Sequence, residues 1–349
     1  MFIEASAEPS LRINSESTPS GMRRTNRPTR KEKDFTIIHI SDLHLSRQFY
    51  REHYRAFKLL LRAIADDECD HLLITGDIAS TPDIDDFYLA REILARAGFA
   101  DSSRLTVVPG NHDIFGGPHR ATDVLSFPKY IRNVDYQRHL TMFLHVFEDT
   151  FAGAERIEPN NPFPFVKKVG PFALIGLNSI LPWSLSKNPF GSNGQLCEKQ
   201  FDGLEALASS SLLDGAIPVA VLHHHFNEFA KDASTNHSLW EMMEYKTMRM
   251  RKRRKTLKLF NALNVQYIMH GHIHKNELYE KSGIALANGA GAVCGDPVQK
   301  LKYNKLSRVN GKCHLSIRTL PVPYQETVTP LHFLRAHPTP LRLVGDIAA

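Results

Sequence analysis

Potential metal ligands follow several apolar segments of this chain. Asp42 and His44 come directly after the apolar run FTIIHI, and Asp77 follows the run HLLIT. The same ligand types recur after later apolar runs, at Asn111, His112, His223, His224, His225, His272 and His274. Carboxylate, amide and imidazole groups without thiolates suit manganese, iron or zinc better than magnesium or calcium. The sequence therefore predicts a site for transition-metal ions.

The spacing of two ligand pairs carries further information. One residue separates Asp42 from His44, and one residue separates His272 from His274. In an extended segment, side chains two positions apart lie on the same face. The spacing alone therefore predicts that each pair can hold one ion together, with the intervening residue directed away from it.

Alternating apolar and amphipathic segments predict the elements that position these ligands. FTIIHI, HLLIT, RLTVV, IPVAVLHHH and VQYIMHGH are typical of buried strands, whereas REHYRAFKLLLRAIADD and PDIDDFYLAREILARAG have helical spacing. FPFVKKVGPFALIGLNS and KLSRVNGKCHLSIRTL predict hairpins, the second turning at Asn310 and Gly311. Strand–helix alternation indicates an α/β fold with a parallel sheet. Functional groups of such sheets gather at the carboxyl ends of the strands, so the ligands should meet at one edge.

Composition divides the chain into three parts. Residues 1–34 are rich in Ser, Thr, Pro and Arg and predict a disordered N-terminal tail. Residues 35–322 predict one domain, in which the periodicity weakens at 115–162, a stretch that we interpret as an inserted helical cap or loop region. Residues 323–349 contain several prolines and predict an irregular C-terminal tail.

Bulk composition narrows the class of protein. The formal net charge is +6, which is compatible with a small anionic substrate. The 4 cysteines form no CxxC pair, so a disulfide framework or zinc knuckle is not predicted, and reduced thiols are typical of a cytoplasmic protein. No apolar run reaches the length of about 20 residues that a membrane helix needs, so no membrane span is predicted.

Five short motifs, taken together and in chain order, resemble those of the calcineurin-like metallophosphoesterases. They are SDLHL, TGDIA, PGNHD, VLHHH and HGHIH, and the resemblance covers the chain from about Phe35 to Leu320. It implies a four-layer α/β/β/α sandwich with a helical insertion and a site for two metal ions. The compact motif spacing is similar to the bacterial cyclic-nucleotide and glycerophosphodiester phosphodiesterase branch.

The resemblance also implies a role for each motif residue. One metal would be held by Asp42, His44, Asp77 and His274. The other would be held by Asp77, Asn111, His223 and His272, so that Asp77 bridges the two. His112 would contact the phosphate and help the leaving group to depart, without binding metal.

The expected reaction is hydrolysis of a small phosphodiester. Two metal ions ~3.5–4 Å apart can clamp a phosphoryl group and hold a hydroxide for in-line attack on phosphorus. Within the superfamily the alternatives are a phosphomonoesterase, a nuclease and a lipid-linked pyrophosphatase. Outside the enzymes, the alternatives are a scaffold protein on the same fold and a nucleic-acid-binding protein.

Three assignments stay open at the level of sequence. Related families have a proline soon after the paired histidines, with the first histidine as ligand, which favours His223 over its rival His224. In this chain His225 and Phe226 stand in place of that proline. Asp113 has two interpretations, a residue that orients His112 and a solvated turn residue. The basic run RMRKRRK, residues 249–255, has three interpretations. It could contact nucleic acid, form a solvated helix face, or steer anionic substrates towards the site.

Overall fold

The computed structural model describes residues 34–118, 121–227, 248–274, 276–289, 291–293 and 300–321. The two predicted tails lie outside these residues, apart from Asp34. The first elements are β1 (Phe35–Ile40), α1 (Arg51–Asp66), β2 (His71–Thr75), α2 (Ile84–Arg96), β3 (Leu105–Val108), α3 (Asn111–Phe115), α4 (Ala121–Arg132), α5 (Tyr136–Val146), β4 (Glu155–Arg156), β5 (Phe165–Val169) and β6 (Phe172–Gly176). The later described elements are α6 (Glu198–Leu207), β7 (Ile217–Val221), α7 (Arg253–Ala262), β8 (Tyr267–His270), β9 (Glu277–Lys281), β10 (Ile284–Asn288), β11 (Lys300–Val309) and β12 (Lys312–Pro321).

The strands form two sheets. The first has the order β12-β11-β1-β2-β3, and the second has the order β4-β5-β6-β7-β8-β10-β9. β1, β2 and β3 are parallel, as are β6, β7, β8 and β10, whereas the outer strands pair antiparallel. The carboxyl ends of the parallel strands are the positions where the sequence places its metal ligands.

Buried apolar residues fill three spaces between layers. Ile38 of β1 belongs to a cluster shared with α1 and α2, whereas its neighbour Ile37 belongs to a cluster between the sheets that includes Leu174 of β6. On the far side, Ile175 of β6 and Phe260 of α7 share a third cluster. This alternation buries both faces of each sheet. The predicted four-layer α/β/β/α sandwich is thereby confirmed.

Residues 115–162, predicted as an inserted cap or loop region, contain α4, α5 and a 3-10 turn at Glu148–Phe151. The ring of Phe143 in α5 lies 5.7 Å from that of Phe87 in α2. α5 therefore packs onto the helical layer of the first sheet.

Among the described residues, no helix is long and apolar enough to cross a membrane.

Candidate metal centre

The predicted ligands lie where parallel strands of both sheets end. β1, β2, β3, β7 and β8 are followed closely by Asp42, Asp77, Asn111, His223 and His272, respectively. The first sheet thus supplies the carboxylates and the amide, and the second sheet supplies most of the imidazoles. The site lies across the junction of the two sheets, which explains why its residues are far apart in sequence.

These side chains form two clusters. Ligand atoms of Asp42, His44 and His274 all lie within 4.8 Å of one another, and so do those of Asp77, His223 and His272. In the first cluster, Nε2 of His44 is 3.0 Å from Nε2 of His274. In the second, Nε2 of His223 is 3.1 Å from Nδ1 of His272. The structure therefore brings together, for each metal, three of the four residues that the resemblance assigns to it.

Asp77 connects the two clusters. Its Oδ2 lies 3.8 Å from Nε2 of His44 and 3.3 Å from Nε2 of His223. Asn111 joins the second cluster, because its Oδ1 lies 3.1 Å from the same nitrogen of His223. One carboxylate oxygen thus faces a histidine of each cluster, which is the position that a bridging ligand requires.

The hydrogen bonds around His223 test whether a cation fits here. Nδ1 of His223 lies 2.7 Å from the carbonyl oxygen of Thr75, which only accepts, so Nδ1 carries the hydrogen. Nε2 of the neutral ring then presents a lone pair to Oδ2 of Asp77 and Oδ1 of Asn111, which are acceptors as well. Acceptors that converge in a buried space are stabilised by a positive charge. These residues therefore fit a metal ion.

The pKa values in the centre point in the same direction. Burial raises the pKa of Asp42, but the hydrogen bond from His274 and the charge of His223 outweigh it and bring this pKa to about 2. Burial also opposes ionisation of Asp77, yet His223 and His112 hold its pKa below the usual value. Burial lowers the pKa of His223, but Asp77 raises it to about 9. The ionised carboxylates thus favour a cation, and a bound metal would displace the proton of His223.

His224 lies outside both clusters. Its Nδ1 is 2.8 Å from Oγ of Ser179, and the same oxygen accepts the backbone N–H groups of His223 and His224 at 3.3 and 3.1 Å. Ser179 therefore donates its hydroxyl hydrogen to His224 and holds the ring. The geometry favours His223 as the ligand. His225 stacks on His272, with ring centroids 6.1 Å apart.

The backbone at the ligands differs from the extended conformation that the spacing predicted. Asp42, His44, Asp77 and His272 have φ angles of 56°, 44°, 50° and 78°. Residues other than glycine rarely adopt this left-handed backbone conformation, and those that do are concentrated at functional sites. The side chains of Asp42 and His44 do lie close together, as the spacing predicted. The reason is that the chain turns at these residues, and not that the segment is extended. His272 and His274 belong to different clusters, which agrees with the assignment by resemblance and differs from the shared ion that the spacing predicted.

Close backbone contacts hold these turns. The N–H of Asp42 donates to the carbonyl of Gly76 at 3.1 Å, and the N–H of His44 donates to that of Asp77 at 2.9 Å. At Gly110, a Cβ would lie 2.2 Å from both the backbone nitrogen and Oδ1 of Asp77. Only glycine allows the loop after β3 to approach Asp77 this closely.

Asp113 has neither of the roles that the sequence suggested. It is fully buried, Oδ1 accepts the N–H of Ala79 at 3.0 Å, and Oδ2 accepts the N–H of Gly110 at 2.8 Å. It therefore joins the loops after β2 and β3. Burial and the charge of Asp77 raise the pKa of Asp113 to about 8. Its position three residues after Gly110, in the first turn of α3, is the spacing of a capping box and is the signal that identifies this role.

His112 lies beside both clusters and is partly exposed. Its backbone N–H donates to Oδ1 of Asp77 at 2.8 Å, and its ring packs edge-on against His44, with centroids 4.6 Å apart. Nδ1 lies 3.2 Å from the carbonyl oxygen of Ser80, so Nδ1 carries the hydrogen of the neutral ring. Burial lowers the pKa of His112, and the charge of Asp77 opposes that change. Its ligand atom also lies within 4.8 Å of those of His44 and Asp77, so distance alone admits it as a ligand.

Comparisons with known proteins agree with the motifs. Residues 35–276 match the family model of the calcineurin-like phosphoesterases. No curated protein matches the chain in sequence. A dimetal phosphatase from Danio rerio is similar in structure, with 14% identity and a TM-score of 0.51, over 82% of this chain and 98% of that chain. Purple acid phosphatase PPD1 from yellow lupin (Lupinus luteus) seeds has 12% identity and a TM-score of 0.51, over 82% of this chain and 52% of that chain.

At these identities, the likeness to the two solved structures shows the fold alone. The family model, in contrast, covers well over half of the chain. The chain therefore belongs to the calcineurin-like phosphoesterase family, whose members are dinuclear-metal hydrolases of phosphoesters.

Proposed function

We propose that this protein is a dinuclear-metal phosphodiesterase that hydrolyses a small phosphodiester of the cyclic-nucleotide or glycerophosphodiester type. The observation that carries the proposal is the position of Asp77, whose Oδ2 faces His44 of one cluster and His223 of the other. The narrower choice of a diester is supported by the motif spacing, which is similar to that branch of the family.

The ligand sets follow from the two clusters. One metal would be held by Asp42, His44, Asp77 and His274, and the other by Asp77, Asn111, His223 and His272. Mixed carboxylate, amide and imidazole donors support manganese, iron or zinc. When bound, such a metal pair supplies Lewis-acid polarisation of the phosphoryl group and a nucleophile at neutral pH.

The side chain of His112 would act on the leaving group. Because Nδ1 is bonded to the carbonyl of Ser80, Nε2 is the atom that exchanges a proton with the substrate. Negative charge develops on the leaving oxygen as its bond to phosphorus breaks, and the imidazolium form of His112 would donate its Nε2 proton to that oxygen. The hydrogen bond from its backbone to Asp77 keeps His112 next to the metal ligands.

The test is a side-by-side assay of the purified, manganese-loaded protein on bis(p-nitrophenyl) phosphate and p-nitrophenyl phosphate, with a chelated control. We expect metal-dependent turnover that favours the diester. Preference for the monoester would contradict the diester assignment and support a phosphomonoesterase. A protein that binds no metal and turns over neither substrate would contradict the enzyme assignment and support a scaffold.

A further inference from the structure

The basic run at residues 249–255 has two parts with different surroundings. Lys252 forms an ion pair with Glu198 of α6, and Lys255 lies 3.8 Å from carboxylate oxygens of Glu198 and Glu205. The two ammonium groups also lie over the ring of Phe201, at 5.6 and 4.3 Å. These lysines therefore connect the start of α7 to α6, and their charges already have partners.

The arginines before them have no such partners. Arg249 and Arg251 flank Met250, which is buried, while Arg249 is exposed and Arg251 is half-buried. Within the described parts of the chain, neither guanidinium group makes an ion pair or a hydrogen bond. Among the described residues, these two cations have no counter-ion, so they leave a local positive charge at this segment.

Backbone contacts connect the segment that carries these arginines to the metal centre. The N–H of Gly194 donates to the carbonyl of Arg249 at 3.1 Å, and the N–H of Arg251 donates to the carbonyl of Gly194 at 2.7 Å. Gly194 in turn packs against His224, because a Cβ there would lie 2.3 Å from Cγ of that ring. The ring of His224 lies 4.4 Å from that of His272. One glycine and one imidazole therefore separate the arginine segment from a proposed metal ligand.

Arginine suits an additional phosphate. Its planar guanidinium donates parallel hydrogen bonds to phosphate oxygens and stays charged at every physiological pH. We propose that Arg249 and Arg251 form a second anion subsite, which binds a phosphate group of the substrate other than the one that is hydrolysed. The natural substrate would then be a phosphodiester with at least one further phosphate, such as a small diester with an additional phosphate group or a short nucleic-acid strand. This inference rests on the proposed function for the reacting phosphate.

The test compares ligands that differ by one phosphate. Affinities of the manganese-loaded protein for adenosine 5′-monophosphate and adenosine 3′,5′-bisphosphate are measured by calorimetry. We expect the bisphosphate to bind about tenfold more tightly, since hydrogen bonds between charged groups contribute more than neutral ones. The double variant Arg249→Gln/Arg251→Gln should bring the ratio of the two affinities close to unity.

The chain provides a matched control in the same segment. Lys252→Gln/Lys255→Gln removes the same amount of charge but affects cations that are already paired, so the ratio should persist. A ratio near unity in the wild type would overturn the proposal, and so would an equal loss in both double variants. The affinity for a short oligothymidylate distinguishes the two sources of the further phosphate. An affinity that falls steeply as the salt concentration rises would indicate a nucleic-acid strand, and its absence would indicate a small diester.

A second measurement distinguishes a failure of the second subsite from a failure of the proposed reaction. Turnover of bis(p-nitrophenyl) phosphate, which has a single phosphate, is measured on the same preparations. Absent turnover with an intact affinity ratio would contradict the proposed function alone. Normal turnover with no affinity ratio would contradict the second subsite alone.

Discussion

The backbone N–H of His112 donates a 2.8 Å hydrogen bond to Oδ1 of Asp77. This bond holds the carboxylate so that its other oxygen, Oδ2, faces His44 at 3.8 Å and His223 at 3.3 Å. The residue that we propose as the metal bridge is therefore positioned by the residue that we propose as the leaving-group acid. Because the contact uses the backbone of His112, a change in its side chain separates the two roles.

Replacing the side chain of His112 is expected to affect turnover and spare the metals. His112→Ala keeps the N–H that holds Asp77, so metal content should stay close to that of the wild type. Turnover should fall by roughly 10²–10⁴, the range for a positioned acid. Metal analysis and steady-state kinetics on the same samples provide the measurement, with His145→Ala on the exposed face of α5 as the control.

The dependence on the leaving group sharpens this prediction. A poor leaving group such as phenolate needs the proton more than p-nitrophenolate does. The His112→Ala variant should therefore lose more activity on a phenyl ester than on a p-nitrophenyl ester. Equal losses on the two esters would show that His112 does not protonate the leaving group.

Gly117 is expected to matter because it lies against the ring of His112. A Cβ at this position would be 2.1 Å from Cε1 and 2.7 Å from Nδ1 of His112. Gly117→Ala should displace the ring and lower turnover in the same leaving-group-dependent way, with metal content retained. Gly203→Ala is the control, since its Cβ would crowd Pro164 at 2.9 Å, away from the site. Equal kinetic effects of the two variants would refute the contact with His112 as the cause.

Asp113 is expected to stabilise the fold at the metal centre. In Asp113→Asn, one of the two oxygens of the carboxyl group becomes an NH₂ group, which would face the N–H of Ala79 or of Gly110. A buried donor without an acceptor costs about 1–3 kcal/mol, and the lost hydrogen bond adds to this. The free energy of unfolding of the metal-free protein, measured in urea, should therefore be lower in the variant by at least about 1–3 kcal/mol. An unchanged midpoint would contradict the role of Asp113 in joining the two loops.

Lys167 should make stability depend on pH. Its side chain is 3% exposed, and Nζ donates to the carbonyls of Leu105 at 2.8 Å and Thr150 at 2.6 Å. Burial lowers the pKa of Lys167 from 10.5 to about 8. Between these values the unfolded chain binds a proton that the folded chain lacks, so stability rises with pH.

The matching measurement is urea unfolding of the wild type and Lys167→Met from about pH 7 to about pH 10. The free energy of unfolding of the wild type, relative to the variant, should increase by up to roughly 3 kcal/mol as pH rises through this window. The contributions of the other titrating groups to the pH dependence are the same in both proteins and cancel in the difference. Parallel pH profiles would contradict a shifted pKa of Lys167.

The sequence predicted the sheets and the meeting of the ligands because both depend on local patterns. Apolar runs such as FTIIHI predict buried strands, and parallel strands place their carboxyl ends together. The left-handed turns at Asp42 and His44 were not predictable in this way. They depend on hydrogen bonds to Gly76 and Asp77, which belong to another strand end.

Long-range contacts account for the other differences. Ser179 holds His224 from 45 positions away in the chain, and Lys167 reaches Leu105 across the two sheets. No periodicity or spacing indicates such pairs, because they depend on how the sheets pack. The capping role of Asp113, in contrast, follows a local spacing and was accessible from the sequence.

The metal content of Asp77→Ala tests the central claim most directly. Both the variant and the wild type are loaded with manganese, passed over a chelating resin and analysed for bound metal, with Asp67→Ala as a control outside the site. We expect about two metal ions per wild-type chain and a loss of tight binding at both sites in the variant, because one carboxylate serves both. Retention of both metals by Asp77→Ala would contradict the bridge and, with it, the proposed dinuclear centre.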